Sequence, residues 1–496
     1  MRKIATGLNT FYADIQTANE NLHRSRRVIE ELFCRLFDEL RSDFAAKLYI
    51  IILLAIIVFG YLSKYEQIDY IISQVRSYHI GVVYLLACEI YLVMNLAAFL
   101  WRVILVVRYK PIESCSVDEL LSCTVIVPAY NEGYQVLETL RSIVKSDYPA
   151  EKLQIIAVDD GSADDTWEWM ETAANESRGR IETIKFSRNR GKKRALYEGF
   201  KASRSEVVVT IDSDSIVEKQ TLRRLISPFV RDERVGAVAG NVRVLNHNEG
   251  LIPRMLDVSF AYSFDFFRAS QSEVNAVFCT PGALSAYRRE PLMKIADKWM
   301  EQTFCGVPAE IGEDRALTNW MLRTGQYVKF QSDAIVYTKV PVKHKGLCRM
   351  FLRWARSNVR ETLVMNSFIF EKFRESGTLG ARINYMLSAV NLIVPQILLM
   401  CLVGFILWQP GVFASQVLFG SMVAASASGI FYAVRHRSSN ALWAYAYSIY
   451  WITALSWITP FALLTARNSK WLTRQIAQQP KPVRRTIRLN NSRVAA

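Results

Sequence analysis

Apolar residues are distributed along this chain in two distinct patterns. Leu48 to Leu62, Ile80 to Val107, Ile383 to Trp408, Val412 to Val434 and Ala441 to Ala466 are long apolar runs, each close to the ~20 residues a helix needs to span a bilayer. Between the second and third runs, from about Leu121, short β-rich segments alternate with amphipathic helical ones. Cys123 to Pro128, Gln154 to Asp159 and Glu206 to Asp212 read as buried parallel strands, each followed by polar residues and a helical pattern. Ligands in open α/β sheets bind beyond the carboxyl ends of the strands, so Tyr130, Glu132, Asp159, Asp160, Asp212 and Asp214 are expected to converge there.

This pattern divides the chain into a basic amphipathic N-terminal region (1–47), a transmembrane hairpin (48–110) and an α/β catalytic domain (120–345). Interface helices (346–380), a C-terminal transmembrane region (381–466) and a basic tail (467–496) follow. Ile29, Leu32, Phe33, Leu36 and Leu40 recur at helical spacing, which predicts a helix against the membrane surface or the catalytic domain. Leu347 to Val364, with arginines interleaved among apolar residues, reads as a helix in the membrane interface. Pro395, Pro460 and the Gly/Ser/Ala-rich stretch 420–429 mark where one of the last three runs departs from a straight span.

Composition sharpens the partner question. The chain has 496 residues, a net charge of +15 and a hydrophobic fraction of 51%, with a mean hydropathy of +0.10. Part of the chain therefore lies outside the bilayer. Arginines and lysines flank the first and last apolar runs, as at the cytoplasmic side of spans facing anionic headgroups. Five spans and two basic termini conflict, and the charges argue for an even number of crossings. Nucleic acid is excluded as a partner, because no zinc-finger, RNP-like or basic-zipper pattern occurs. The first ~45 residues lack the apolar core of a cleaved signal. Eight cysteines without a CxxC pair suggest neither zinc nor a disulfide framework.

Several short motifs can carry chemistry. Asp212 and Asp214 at a strand end can share one hard cation that neutralises a nucleotide diphosphate. Asp159-Asp160-Gly161-Ser162 reads either as a turn capping a helix from about Asp164 or as carboxylates accepting from a nucleoside. Gly191 to Arg194, with Lys192, reads either as the start of a helix suited to an anionic nucleotide or as a solvated charge run. Asp314, beside Glu313, is either a helix cap or a general base for an acceptor hydroxyl. Arg353 can hold a leaving diphosphate and Trp354 can stack on a sugar, although both residues also suit an interfacial belt. His247 and His344 lack metal-ligand spacing and read as structural.

In order, Val127 to Glu132, Asp159 to Ser162, Asn189 to Lys192, Asp212 to Asp214, Gly312 to Arg315 and Arg353-Trp354 resemble the processive family 2 glycosyltransferases. Gly312 to Thr318, Thr338 to Pro341 and Arg353 to Ser357 look most like hyaluronan synthases and nodulation chitooligosaccharide synthases. The resemblance implies a GT-A catalytic domain, mostly parallel sheet with helices on both faces, embedded between transmembrane helices in the inner or plasma membrane and facing the cytosol. It implies inverting polymerisation of UDP-sugar donors onto a growing polysaccharide that leaves across the membrane, with Mg²⁺ or Mn²⁺ as cofactor. Tyr130, Glu132, Asp159 and Lys192 would then hold uridine, Asp212 and Asp214 would serve the donor and its metal, and Asp314 would be the base. Cys279 to Ser285, with Gly282, resembles an acceptor-side loop, and Trp471 to Arg474 a variant of a gating segment. Met350 stands where the family usually has Gln and cannot make that amide's hydrogen bonds. A non-processive transferase adding one sugar is the alternative, and a nucleotide-binding transporter or scaffold a more distant one.

Overall fold

The structure is a computed structural model that describes residues 43–469. The amphipathic N-terminal stretch, both basic termini and the Trp471 to Arg474 segment lie outside the described residues. The chain divides at Lys64. The first unit contributes one described helix, Asp43–Leu62.

The second unit, from Tyr65 onward, is built on an eight-stranded sheet. Its strands are β1 (Cys123–Ala129), β2 (Leu153–Asp159), β3 (Ile181–Lys185), β4 (Val207–Thr210), β5 (Ser215–Val217), β6 (Val235–Val244), β7 (Ser285–Arg288) and β8 (Tyr327–Thr338), in the order β3-β2-β1-β4-β7-β6-β8-β5. The β3/β2, β2/β1, β1/β4 and β6/β8 pairs are parallel, while β7 runs against both neighbours and β5 against β8. The three expected strands are β1, β2 and β4. The last stops at Thr210, so Asp212 falls in a turn closed by Ser215 N–H donating to Asp212 O at 3.1 Å.

Every residue of β1 is buried because the sheet is covered on both faces. Val125 and Val127 pack with Leu137, Leu140, Leu222 and Phe229 on one side. Ile126, between them in sequence, packs with Phe200, Trp299 and Leu317 on the other. The period-two alternation of the strand thus distributes consecutive apolar residues to two cores.

Among the described residues, four helices are long and apolar enough to cross a bilayer: Asp43–Leu62, His79–Arg108, Thr378–Trp408 and Pro410–His436. The fifth apolar run is broken: Ser439–Leu455 and Ile458–Thr465 meet at 49°, giving a bent span or a re-entrant segment. Irregularity thus falls at the run containing Pro460, whereas Pro395 and residues 420–429 lie inside continuous helices. Tyr91 Oη donates to Asn391 Oδ1 at 2.6 Å, joining two of the spans by a hydrogen bond that satisfies both groups. At the spans' basic ends, Tyr109 Oη donates to Phe330 O of β8 at 2.9 Å, and Arg435 lies 3.2 Å from Asp265. Arg102 lies over the Phe267 ring, 5.0 Å from its centroid.

The basic segment forms the helix His344–Asn366. Arg356 and Arg360 are buried in protein, so these two arginines do not face headgroups as the sequence pattern suggested. Arg356 Nε donates to Thr465 Oγ1 at 3.0 Å, which ties this helix to the bent C-terminal pair. Met350 packs partly buried against the core.

Candidate active site

The loops after β1 and β2 are bound to each other. Asn131 N–H donates to Ser162 Oγ at 3.0 Å, Ala163 N–H to Asn131 Oδ1 at 2.8 Å, and Glu132 N–H to Thr166 Oγ1 at 2.8 Å. Tyr130 is buried at the root of the same loop. Asp159 is fully buried, and its Oδ1 accepts from the Ser162 N–H and hydroxyl at 3.1 and 2.5 Å. Its Oδ2 is buried without a partner. Burial raises the pKa of this carboxyl, with the Ser162 bonds opposing. An acceptor in that condition suits an N–H of a nucleobase.

Asp160 does a different job. Its two oxygens accept from Arg190 N–H at 2.7 Å and Gly191 N–H at 2.9 Å, fixing the approach to the helix Lys192–Ala202. Neither Asp160 nor Ser162 caps the helix that follows. That helix starts at Thr166, and it is Asp164 Oδ1 that accepts the Thr166 N–H at 3.1 Å.

The first residue of the Lys192–Ala202 helix gathers the acidic islands. The Lys192 ammonium bonds Asp212 and lies 3.1 Å from Glu313 Oε1. Burial would lower the Lys192 pKa, but Asp212 and Glu313 outweigh it and raise the value, keeping the side chain charged. Gly282 lines the same cleft as Lys192, Asp212, Glu313 and Asp314. A Cβ at Gly282 would lie 2.8 Å from Lys192 Nζ and 3.5 Å from both Asp212 carboxylate oxygens.

Glu313 and Asp314 open the helix Glu313–Arg323 in opposite electrostatic conditions. Burial opposes ionisation of Glu313, yet Lys192 and then Arg353 hold its carboxyl below the ordinary range. Asp314 is pushed up, by burial first and by the Glu313 charge second. Burial and neighbouring charge thus push the two adjacent carboxyls in opposite directions. Asp314 Oδ1 accepts Arg315 N–H at 2.8 Å and Oδ2 accepts Gly282 N–H at 3.3 Å.

Asp214 Oδ1 receives the hydroxyls of Ser215 and Thr338, each at 3.3 Å. With Asp212 it offers hard oxygens on one turn, a donor set that fits Mg²⁺ or Mn²⁺ bound largely through substrate phosphates and water. Among the described residues, no group of three or more His, Cys, Asp or Glu side chains is arranged as a metal cage. Trp354 is 37% exposed and packs near Phe260 and Phe351, with ring centroids at 6.0 and 5.7 Å. Tyr130, Glu132, Asp159, Asp160, Asp214, Arg353 and Trp354 do not line the small cleft around Lys192. His344 Nδ1 lies 2.5 Å from Tyr450 Oη, in a helix-to-helix contact.

Two cations beside the site had no sequence signal separating them from surface charge. Lys193 is 1% exposed, donates to Ala309 O at 3.1 Å, and is pushed down to about 8 by burial. Arg268 is buried, donates to Cys279 O at 2.9 Å, and covers the Phe264 ring at 4.0 Å. Burial pushes the Cys279 thiol up to about 12, and the Asp314 charge adds to the effect.

A doubly covered, mostly parallel sheet with an acidic cleft at its strand ends, flanked by helices long and apolar enough to cross a bilayer, has the architecture of a GT-A transferase. Residues 124–296 match the family model "Glycosyl transferase family 2". The chain is 31% identical over 363 residues to an N-acetylglucosaminyltransferase of Neorhizobium galegae, covering 72% of this chain and 80% of that one. It is 29% identical over 359 residues to a hyaluronan synthase of Streptococcus pyogenes, covering 71% and 82%. A mannosyltransferase of Pyrobaculum calidifontis, solved with GDP-Man and Mn2+, shares the fold at a TM-score of 0.53 and 20% identity, covering 78% of this chain and 99% of that one. The chain belongs to glycosyltransferase family 2 and is an enzyme of that family.

Proposed function

We propose that this enzyme is a processive, inverting polysaccharide synthase that polymerises UDP-sugars, an N-acetylhexosamine among them, and passes the product across the membrane. The observation that carries this reading is the Lys192 junction, where the Asp212 island and the Glu313-Asp314 island meet in one cleft with the two adjacent carboxyls pushed apart. The relatives named N-acetylglucosaminyltransferase and hyaluronan synthase support the product class.

In the proposed step, ionised Asp314 takes the proton of the acceptor hydroxyl. The hydroxyl oxygen then bonds to the anomeric carbon from the face opposite UDP, the bond from that carbon to the diphosphate oxygen breaks, and UDP leaves with the electron pair. Asp159, Tyr130, Glu132 and Lys192 hold the nucleotide, and Asp160 positions the Arg190-Gly191 backbone beside it. Asp212 and Asp214 would hold Mg²⁺ or Mn²⁺, whose charge offsets that of the diphosphate. Arg353 stands close enough to lower both acidic neighbours, where it can also meet departing negative charge. Trp354 offers an aromatic face to the acceptor sugar. The basic residues Arg108, Arg435 and Arg437 end two spans beside contacts to the catalytic domain, which supports a cytosolic catalytic domain.

The test is a panel of UDP-sugars, offered singly and in pairs to the purified enzyme with Mg²⁺ or Mn²⁺, followed by digestion of the product with polysaccharide-specific hydrolases. A long hydrolase-sensitive polymer containing an N-acetylhexosamine is expected. A product one sugar longer than its acceptor would overturn processivity.

A further inference from the structure

The acidic pair is gripped from behind by a buried polar network in which the proposed chemistry has no part. Arg360 and Glu361 are 1% and 0% exposed and bond each other at 3.2 Å. The Arg360 guanidinium also donates to Ile311 O, two residues before Glu313. Glu361 Oε2 accepts from Asn319 Nδ2 at 2.9 Å, and its backbone carbonyl accepts from the same amide at 2.9 Å. Glu361 Oε1 accepts from Gln302 Nε2 at 3.1 Å. One ion pair therefore fixes the approach to the Glu313–Arg323 helix and a point almost two turns along it.

The surrounding contacts converge on the same helix. Arg315 reaches back to Asn358 and to Thr362 Oγ1, the latter at 3.0 Å, and the Trp299 indole donates to Glu313 O at 3.0 Å. Gly312 has a φ of +72° and faces Ser357 so closely that a Cβ would sit 1.7 Å from its Oγ. Desolvation makes a buried ion pair a poor source of net stability compared with apolar packing of the same volume. What such a pair does supply is direction, since both charges must be met at fixed angles.

We propose that Arg360 and Glu361 are positioning residues for the transfer reaction. They hold the start of the Glu313–Arg323 helix so that the Asp314 carboxylate stays against the Gly282 N–H, in line with the acceptor hydroxyl. The proposal rests on the reading of Asp314 as the base. A base displaced by about 1 Å loses on the order of 10²-fold in rate while substrate binding elsewhere is unaffected.

Glu361→Gln tests this in the full-length enzyme in detergent, with UDP-N-acetylglucosamine and Mg²⁺ as the probe and UDP alone for binding. The new amide sets a donor against the Asn319 donor. Turnover per folded enzyme is expected to fall about 10–100-fold, with donor KM and UDP Kd within about threefold of the parent values. Arg360→Lys, whose single ammonium cannot serve both Glu361 and Ile311 O in the same geometry, is expected to show the same split and provides the measurement if the first variant does not fold. Turnover within threefold of the parent in both variants overturns the proposal. So does UDP affinity falling in step with turnover, or failure of both variants to fold, because each reduces the pair to a structural element. Asp314→Asn run in parallel separates the two claims. Inactive Asp314→Asn beside active Glu361→Gln sinks the positioning role alone, whereas near-normal transfer by Asp314→Asn removes the base and with it the object being positioned.

Discussion

The Lys192 ammonium lies 3.1 Å from Glu313 Oε1, joining two residues 121 positions apart through a side chain that also bonds Asp212. The Glu313 side chain is only 4% exposed, so this pair is a buried one. Lys192→Met leaves that buried carboxylate with Arg353 as its remaining cation and is expected to destabilise the protein by up to about 3–5 kcal/mol. Thermal unfolding should show a lower apparent midpoint, and UDP release should be lost. A variant that melts like the parent would contradict the pairing.

Asp314 gives the pH dependence. Burial and the Glu313 charge raise its pKa, while Lys192 and Arg353 act in the opposite direction, and Arg268, Arg315, Cys279 and Tyr287 are further ionisable neighbours. A raised carboxyl keeps its proton to higher pH than an ordinary Asp, and a protonated base cannot act. Turnover should therefore fall, as pH is lowered, at a value above the usual carboxylate range near 4. A pH-rate profile flat down to pH 4 would remove the perturbed base from the rate-limiting step.

Two glycines of the site should respond differently to alanine. At Gly282 the added methyl meets the tip of the flexible Lys192 side chain, so the fold should tolerate it while donor binding weakens by about tenfold through a displaced ammonium. At Gly312 both the φ of +72° and the Ser357 hydroxyl oppose any side chain, and a loss of about 2–4 kcal/mol is expected. Melting curves and UDP titrations of the two variants check the contrast.

The neighbouring aspartates should also separate. Asp159→Asn replaces the buried, partnerless acceptor that the proposed function assigns to the nucleoside, and should weaken UDP binding by about tenfold or more with modest structural effect. Asp160→Asn weakens two backbone N–H contacts at Arg190 and Gly191, costing about 1–3 kcal/mol of stability. Calorimetric UDP titration together with melting distinguishes them.

Strand patterning placed β1, β2 and β4 and the helix at Lys192 because those signals are local: period-two burial, strand-end polar residues and a glycine before a helix. The GT-A class followed from the order of the motifs. Lys193 could not be told from Lys192 in a run of three basic residues, although one faces the cleft and the other lies beneath Trp299, with its ammonium 5.3 Å from the ring centroid. Arg356 and Arg360 looked like a headgroup face because their acceptors, Thr465 Oγ1 and Ile311 O, are more than forty residues away. Non-local hydrogen bonding of this kind leaves no periodic trace in a single sequence. The break in the last apolar run, a short π-turn at Trp451–Leu455 followed by the bend, was signalled only by Pro460 nearby.

The central claim is that Asp314 acts on the acceptor while other residues hold the donor. Asp314→Asn, measured for UDP affinity and for polymer formation in the same preparation, tests it most directly. The account predicts UDP binding within about threefold of the parent and no polymer, since the base contributes to the transition state and not to ground-state binding. Near-normal polymer from that variant would contradict it.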